Sequence, residues 1–289
     1  MDTVEWVECP RDAMQGLHWY IPAEQKIRYI NSLLKVGFDV LDVGSFVSPK
    51  AIPQLRDTAE VLKQLELGSD SAKLLAIIAN VRGGETAVAF DEITFLGFPF
   101  SISETFQQRN TNSSIEQSLS TVETLQRLCV NNRKELVVYI SMAFGNPYGD
   151  VWNAEVAQHW TQRIADMGIK TIALADTVGL AKPEDVKSIF DSLIPSLPEV
   201  KFGAHLHAGP NNWKPKVQAA WEAGCRRFDT AMKGYGGCPM AEDDLVGNLA
   251  SENFLQFLEE KNVKAAIDTS AFGRALLEAN TVFAEPLAT

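Results

Sequence analysis

Residues 171–207 read TIALADTVGLAKPEDVKSIFDSLIPSLPEVKFGAHLH and contain one complete strand–helix–strand repeat. The short apolar runs 171–175 and 200–207 are typical of buried strands, and residues 182–193 between them have a helical pattern. Strands that alternate with helices in this way form parallel sheets with right-handed crossovers.

The same alternation continues along the whole chain of 289 residues. The other strands are predicted at 4–9, 39–44, 73–79, 92–96, 136–142 and 226–231. The other helices are predicted at 22–36, 53–65, 84–89, 113–130, 153–167, 214–223 and 245–261, with one more in the tail near 272–284. Ser114 and Gln117 have the spacing of a capping box at the start of one of them.

Eight β/α units at this length favour a closed (β/α)8 TIM barrel over an open doubly wound sheet, because such barrels commonly have about 250 residues. No Gly-x-Gly-x-x-Gly follows the first strand, so dinucleotide binding has little support. We expect one barrel domain over 1–289, with a Gly-rich loop at 233–248 and a C-terminal helical extension at 262–289.

Charge and composition exclude several classes of partner. The formal net charge of −11 argues against nucleic acid, although a phosphate-bearing small molecule remains compatible. No apolar run approaches about 20 residues, and no signal peptide is visible, so we expect no membrane span. The 4 cysteines lack C-x-x-C spacing, which favours a reducing, cytoplasmic compartment.

His205 and His207 lie two residues apart at the end of the predicted seventh strand. Side chains at i and i+2 point to the same face of a strand, so the two imidazoles form a pair suited to binding a metal. The alternative is two histidines that are hydrogen-bonded at a strand end, since a bare H-x-H is a weak motif.

Other polar residues follow nearly every predicted strand. A barrel forms its active site at the carboxyl ends of its strands, where these residues would meet. Taken singly, each is also an ordinary turn residue. The set comprises Arg11, Asp12, Gln15, Asp42, Ser45, Asn80, Asn146, Asp176 and Asn248.

Asp12, His205, His207 and Asn248 are candidates for a mixed nitrogen and oxygen site for Mg²⁺, Mn²⁺, Zn²⁺ or a similar ion. Arg11 is placed either to bind a substrate carbonyl or carboxylate, or to form a salt bridge at the rim. The Gly-rich loop presents the Cys238 thiol, which favours an acid–base role over that of a buried packing residue.

Several segments match the motifs of one family in order and spacing. They are Val7–Gln15 (E-x-x-P-R-D-G-L-Q), Ser45–Lys50 with Pro53–Gln54 (S-F-V-S-P-K-x-x-P-Q), Ser103–Glu104, Asn112, Ser114–Glu116, Ala175–Gly179 (G-D-T-x-G), His205–His207 (H-x-H), Gly236–Pro239 (G-G-C-P) and Gly247–Ala250 (G-N-x-A). Through these segments the chain resembles the 3-hydroxy-3-methylglutaryl-CoA (HMG-CoA) lyases of the DRE-TIM metallolyase superfamily.

The resemblance implies cleavage of HMG-CoA to acetyl-CoA and acetoacetate by a homodimer that depends on a divalent cation. It implies the four metal ligands named above and an acyl-CoA substrate. By the same resemblance, Arg11 stabilises the enolate product and Cys238 is the catalytic loop cysteine. The further catalytic candidates are Asp42, Asp176 and His205, and the substrate-binding candidates are Arg11, Gln15 and Ser45.

The chain also departs from the family pattern at several positions. Ala13 replaces a glycine, Asp42 a glutamate, Ala208 an aspartate, Asn146 a cysteine and His18 a lysine, and the spacing from Cys238 to Asn248 is one residue longer. These changes bear on the substrate rather than on the metal ligands. A related lyase or aldolase with another substrate is therefore one alternative, and a non-catalytic barrel-fold binding protein is another.

Overall fold

Eight parallel strands form a closed barrel in the computed structural model, which describes residues 3–237 and 246–285. Each strand pairs with its neighbours in chain order, and the last strand pairs with the first from Glu5 opposite Arg227 to Glu8 opposite Thr230. The prediction of a (β/α)8 TIM barrel is confirmed. The strands are β1 (Glu5–Glu8), β2 (Val40–Ser45), β3 (Lys73–Ile77), β4 (Ile93–Ser101), β5 (Glu135–Ser141), β6 (Thr171–Asp176), β7 (Lys201–Leu206) and β8 (Arg227–Thr230).

Eleven α-helices accompany the strands in the described residues, and none of these helices is long and apolar enough to cross a membrane. The predicted capping box is present, since the Ser114 and Gln117 side chains each accept from the other's backbone N–H. The helices are α1 (Pro10–Gln15), α2 (Ala23–Leu34), α3 (Thr58–Leu62), α4 (Val81–Ala87), α5 (Glu104–Thr111), α6 (Ile115–Asn131), α7 (Ala154–Ala165), α8 (Pro183–Ser196), α9 (Trp213–Glu222), α10 (Ser251–Glu260) and α11 (Thr269–Val282).

The fourth strand is longer than the predicted 92–96 because its proline is tolerated. β4 pairs with β3 only as far as Gly97, whereas its pairing with β5 continues to Ser101. Pro99 therefore lies where β4 has a partner on one side, and its missing N–H removes no ladder hydrogen bond.

Two short helices were absent from the sequence prediction. α1 begins with Pro10 in its first turn, where the missing N–H is harmless, and it is too short to show an apolar periodicity. α5 is mostly polar, and the Ser103 side chain caps it by accepting from Phe106 N–H. The helix predicted at 53–65 is instead a 3₁₀ turn at Pro53–Leu55 followed by α3.

The core has two layers. Inside the barrel lie Val7, Cys9, Val40, Leu75, Phe95, Val137, Tyr139 and Ala173. The second, larger layer lies between the strands and the surrounding helices. α11 packs against α2. The segment before α11 passes close to Gly37, where only glycine fits, because a Cβ there would lie 2.3 Å from the Ala266 carbonyl oxygen.

Glu8 is a buried carboxyl group on the outer face of β1, near the seam between β1 and β8. It accepts from the Met232 N–H at 2.7 Å and contacts the hydroxyls of Thr230, at 3.0 Å, and Ser251. Burial raises the pKa of Glu8 to about 8, despite these hydrogen bonds. The folded protein therefore holds a proton on Glu8 at neutral pH that the unfolded chain does not hold.

We expect Glu8→Gln to flatten the pH dependence of stability. Between about pH 4.5 and about pH 8 the folded state binds one proton more than the unfolded state at this position, so the free energy of unfolding falls as pH rises. The slope is at most about 1.4 kcal/mol per pH unit, and glutamine removes it. Urea unfolding of both proteins across this range measures the difference.

Glu123→Gln, at a side chain that is 60% exposed, is the matched control and should keep the wild-type slope. Equal slopes for the wild type and Glu8→Gln would contradict the buried, protonated state of Glu8.

Candidate active site

The first turn after β1 carries three of the expected site residues on α1. Arg11 donates from Nε and Nη2 to Asp42 Oδ2, at 2.9 and 2.5 Å. It donates from Nη1 to Asp12 Oδ1 at 2.8 Å and to Gln15 Oε1 at 2.9 Å. A guanidinium has five N–H donors, so one Nη2 hydrogen remains without an acceptor among the described residues. Arg11 thus forms the rim salt bridges and keeps one donor for a ligand.

Asp12 is a buried carboxylate held on both oxygens. Gln15 Nε2 donates to Oδ1 and Asn248 Nδ2 donates to Oδ2, each at 2.6 Å. Burial alone would raise the pKa of Asp12, but Arg11, His205 and His207 together hold it at about 2. Asp12 is therefore an anion at any physiological pH.

The two histidines at the end of β7 face each other and Asp12. Their Nε2 atoms lie 3.2 Å apart, and both histidines offer ligand atoms within 4.8 Å of an Asp12 oxygen. Burial lowers the pKa of His207 to about 4, so its ring is neutral at neutral pH. Two nitrogens about 2.1 Å from a common ion and about 90–110° apart lie about 3.0–3.4 Å from each other, and the observed spacing fits a divalent cation.

Asn248 completes the set of four candidate ligands. Its Nδ2 donates to Asp12 and to the Tyr235 carbonyl oxygen at 2.9 Å, so its own amide oxygen is left to face another partner. The backbones of Asn248 and His207 also pair in an isolated antiparallel β-bridge at the barrel rim. The structure thus brings all four sequence candidates together.

The other nitrogen of His205 contacts a carboxylate from the barrel interior. Nδ1 lies 3.2 Å from Asp229 Oδ2. Burial would lower the pKa of His205, but the hydrogen bond to Asp229 and its charge raise it. A carboxylate behind a histidine is the usual arrangement around a protein metal site, because it fixes the ring and its tautomer.

Asp42 is 1% exposed, and only one of its two carboxylate oxygens is hydrogen-bonded to a described residue. Arg11 binds its Oδ2, whereas Oδ1 has no hydrogen-bond partner among the described residues. Burial raises the pKa of Asp42 to about 6, although Arg11 opposes the rise. Asp42 therefore offers a free acceptor that exchanges a proton close to neutral pH.

Five of these residues line a cavity of about 150 Å³ at the carboxyl ends of the strands, namely Arg11, Asp12, Asp42, His205 and His207. Gln15 and Ser45 also line it, and Ser45 accepts from the Val47 N–H at 3.1 Å. The lining also includes the apolar residues Val47, Ala51, Ile52, Ile77, Ala79, Pro99 and Phe106. The cavity can therefore hold a small molecule that has both polar and apolar groups.

Asp176 does not line this cavity. Its Oδ2 accepts from Lys216 Nζ at 2.6 Å and its Oδ1 from the Ala181 N–H at 2.9 Å. The buried Lys216 also donates to the His207 carbonyl oxygen at 3.0 Å. Asp176 thus reaches the candidate ligands through Lys216 and the backbone. Cys238, the other expected catalytic residue, lies outside the described residues.

Sequence reasoning missed Asp229, Tyr139 and Lys216. Asp229 and Tyr139 line the cavity from within strands, whereas the polar residues that the sequence singled out lie at strand ends. The available signal was the pair Arg227 and Asp229, two charged residues on the same face of a strand with an apolar interior. Lys216 gave no signal, because a lysine on a helix is ordinarily exposed.

We expect Gly236→Ala to weaken cation binding. Gly236 has φ +104°, and a Cβ there would lie 2.6 Å from Asn248 Nδ2 and 2.7 Å from the Asp12 carbonyl oxygen. Alanine must therefore displace two candidate ligands, and we expect the Kd for Mn²⁺ to rise at least about tenfold in calorimetric titration.

Gly149→Ala is the matched control. Gly149 also has a positive φ, +77°, but a Cβ there meets no atom within 4 Å. It shares the backbone strain of Gly236→Ala without the contacts, so its Mn²⁺ affinity should be that of the wild type. Equal weakening in both variants would show that backbone strain, and not the approach to Asp12 and Asn248, is responsible.

The sequence and the fold have counterparts among known proteins. The family model described as HMGL-like matches residues 3–277. The cytoplasmic 3-hydroxy-3-methylglutaryl-CoA lyase of Rattus norvegicus is 30% identical over 262 residues, which cover 90% of this chain and 75% of the relative. The (R)-citramalyl-CoA lyase of Chloroflexus aurantiacus is 30% identical over 284 residues, which cover 94% of this chain and 88% of the relative.

A solved structure agrees with the sequence relatives. The HMG-CoA lyase from Acinetobacter baumannii, in complex with coenzyme A and 3-methylmalate, superimposes with a TM-score of 0.90 at 30% identity. The alignment covers 97% of this chain and 91% of that one. The match of the family model over most of the chain agrees with the motifs and the site geometry, and the chain belongs to the HMGL-like family.

Proposed function

We propose that this protein is a carbon–carbon lyase that depends on a divalent cation and cleaves HMG-CoA to acetyl-CoA and acetoacetate. The observation that carries the proposal is the cluster of Asp12, His205 and His207 beside Arg11, which keeps one free donor. Family membership supports it, because the relatives named above are lyases that act on acyl-CoA substrates.

Asp12, His205, His207 and Asn248 would hold the cation. One carboxylate, two imidazoles and an amide oxygen suit Mg²⁺ or Mn²⁺, and the nitrogen ligands also admit Zn²⁺. When bound, the cation supplies Lewis acidity that lowers the pKa of a substrate hydroxyl and offsets developing negative charge.

The reaction requires one proton to leave an alcohol and one to reach a carbon. The C3 hydroxyl of the substrate loses its proton, its oxygen becomes the ketone of acetoacetate, and the C2–C3 bond breaks. The electron pair of that bond moves to C2 and the thioester oxygen, which gives the enolate of acetyl-CoA. Protonation of C2 then completes acetyl-CoA, so the protons balance.

The chain's own residues supply the polar contacts for these steps. The free Oδ1 of Asp42 is suited to accept the hydroxyl proton, because its pKa lies near neutral pH. The remaining Nη2 hydrogen of Arg11 is suited to the thioester oxygen as it gains charge. By family resemblance Cys238 is the catalytic loop cysteine, and we assign it the protonation of C2 because a thiol can act as an acid. We further propose, on the same resemblance, a homodimer in the cytoplasm.

We expect the purified protein to form acetoacetate from HMG-CoA with Mg²⁺ or Mn²⁺. Chelation should abolish the activity, and the cation should restore it, because the cation is the Lewis acid that lowers the pKa of the substrate hydroxyl. Acetoacetate is measured in a coupled assay, with Cys238→Ala as the variant expected to lose activity.

Full activity after exhaustive chelation would sink the proposal. The relative of similar identity that is named a citramalyl-CoA lyase makes citramalyl-CoA the comparison substrate. If citramalyl-CoA is cleaved faster than HMG-CoA, then HMG-CoA is not the preferred substrate, but the protein is still a carbon–carbon lyase.

We expect kcat/KM to rise with pH through about 6 if Asp42 accepts the hydroxyl proton, because only its ionised form can do so. Asp42→Asn removes the acceptor and should lower kcat about 10²–10⁴-fold. Asp42→Glu restores a carboxylate and should recover most of the rate. If Asp42→Asn keeps the wild-type rate and pH profile, the proton acceptor is another group.

A further inference from the structure

An ion pair inside the barrel lies directly behind the candidate cation site. Arg227 and Asp229 are both on β8, both point into the barrel, and both are 2% exposed. Arg227 Nη1 donates to Asp229 Oδ1 at 2.9 Å. The other carboxylate oxygen, Oδ2, contacts His205 Nδ1 at 3.2 Å. A continuous chain of contacts therefore runs from the guanidinium to the histidine ring.

The barrel makes room specifically for this guanidinium. A Cβ on Gly203 of β7 would lie 2.7 Å from Arg227 Nη1. Any larger residue at position 203, two residues before His205, would displace Arg227 from Asp229. Toward the amino ends of the strands, Arg227 Nε donates to Glu5 Oε1 at 3.0 Å.

The buried Arg227–Asp229 ion pair is not explained by a gain in the stability of the fold. Most of the barrel interior is apolar, with Val7, Val40 and Leu75 among the neighbours in the same cluster. Removing two charges from water is unfavourable, and a well-packed apolar pair is often at least as stable as a buried ion pair. The geometric effect of Arg227 is more specific, since it occupies one oxygen of Asp229 and leaves the other to His205.

This division of the carboxylate determines which nitrogen of His205 is available. When Asp229 Oδ2 accepts the Nδ1 hydrogen, Nε2 carries the lone pair, and Nε2 is the atom that faces His207. We propose that Arg227 is a positioning residue that orients Asp229, so that His205 presents Nε2 as a cation ligand. The inference rests on the proposed cation site, but it concerns residues outside that site.

Mn²⁺ titration of the metal-free protein tests the inference without measuring catalysis. Asp229→Asn should raise the Kd about 10–100-fold, the usual effect of losing such a partner. Arg227→Met should raise it about tenfold or more, and Arg227→Lys, which keeps the charge, should recover part of the loss. Circular dichroism verifies that each variant is folded, and Arg227→Gln replaces Arg227→Met if the latter does not fold.

Glu5→Gln is the matched control. It removes the negative charge that Arg227 contacts at its other end and leaves the contact with Asp229, so it should bind Mn²⁺ with wild-type affinity. Wild-type affinity in folded Arg227→Met or Arg227→Gln would overturn the inference and make Arg227 a structural residue.

The tautomer of His205 provides a second readout that does not need the cation. The chain has 4 histidines, so ¹⁵N-histidine spectra of the metal-free protein are simple enough to assign. At an alkaline pH, where His205 is neutral, the wild type and Glu5→Gln should show the hydrogen on Nδ1, and Arg227→Met should show a mixture. A wild type that binds no Mn²⁺ would refute the proposed function, whereas the tautomers would still decide the role of Arg227.

Discussion

The hydrogen-bonded ladder between β1 and β8 is the constraint on which the rest of the structure depends. It joins residues more than 200 positions apart, and it turns an eight-stranded sheet into a closed barrel. Asp12 follows β1 and Asn248 follows β8, and their 2.6 Å hydrogen bond exists only because these strands are neighbours. The seam also buries Glu8, which bonds to residues on both sides of the loop after β8.

Closure also explains how charge is accommodated inside the molecule. Each buried cation near the site faces a carboxylate: Arg11 faces Asp12 and Asp42, Lys216 faces Asp176, and Arg227 faces Asp229. Pairing of this kind is the condition on which charges persist in an interior. The exceptions are therefore informative. Among the described residues, the free oxygen of Asp42, the two facing histidine nitrogens and the remaining Nη2 hydrogen of Arg11 are groups that the fold leaves for a ligand.

The buried pairs act on the site from different directions. Asp229 contacts the ring of His205, and Lys216 contacts the backbone oxygen of His207. Neither Asp176 nor Lys216 lines the cavity, yet both bear on how the end of β7 is held. The sequence motif of Asp176 suggested that its side chain lies in the active site. In the structure Asp176 instead binds Lys216, which in turn holds the backbone of a candidate ligand, His207.

Alternation of short apolar runs with helical patterns was sufficient to predict the barrel, because each β/α unit carries its own local signal. The H-x-H pair and the residues just after β1 were also predictable, since strand ends in a barrel meet at one rim. The extension of β4 past Pro99 could not be predicted from the sequence, because it depends on where β3 stops pairing with β4. The helices α1 and α5 were missed for a local reason, since they are short or polar.

The sequence by itself determined the architecture and the identity of the candidate ligands, because local patterns and family motifs are sufficient to predict both. Only the tertiary structure decided which partners those residues have. It gave Arg11 two carboxylates, directed Asp176 to Lys216, and set the Arg227–Asp229 pair behind His205. The physical reason is that pairing of buried charges depends on distances across the closed barrel, which no local pattern encodes.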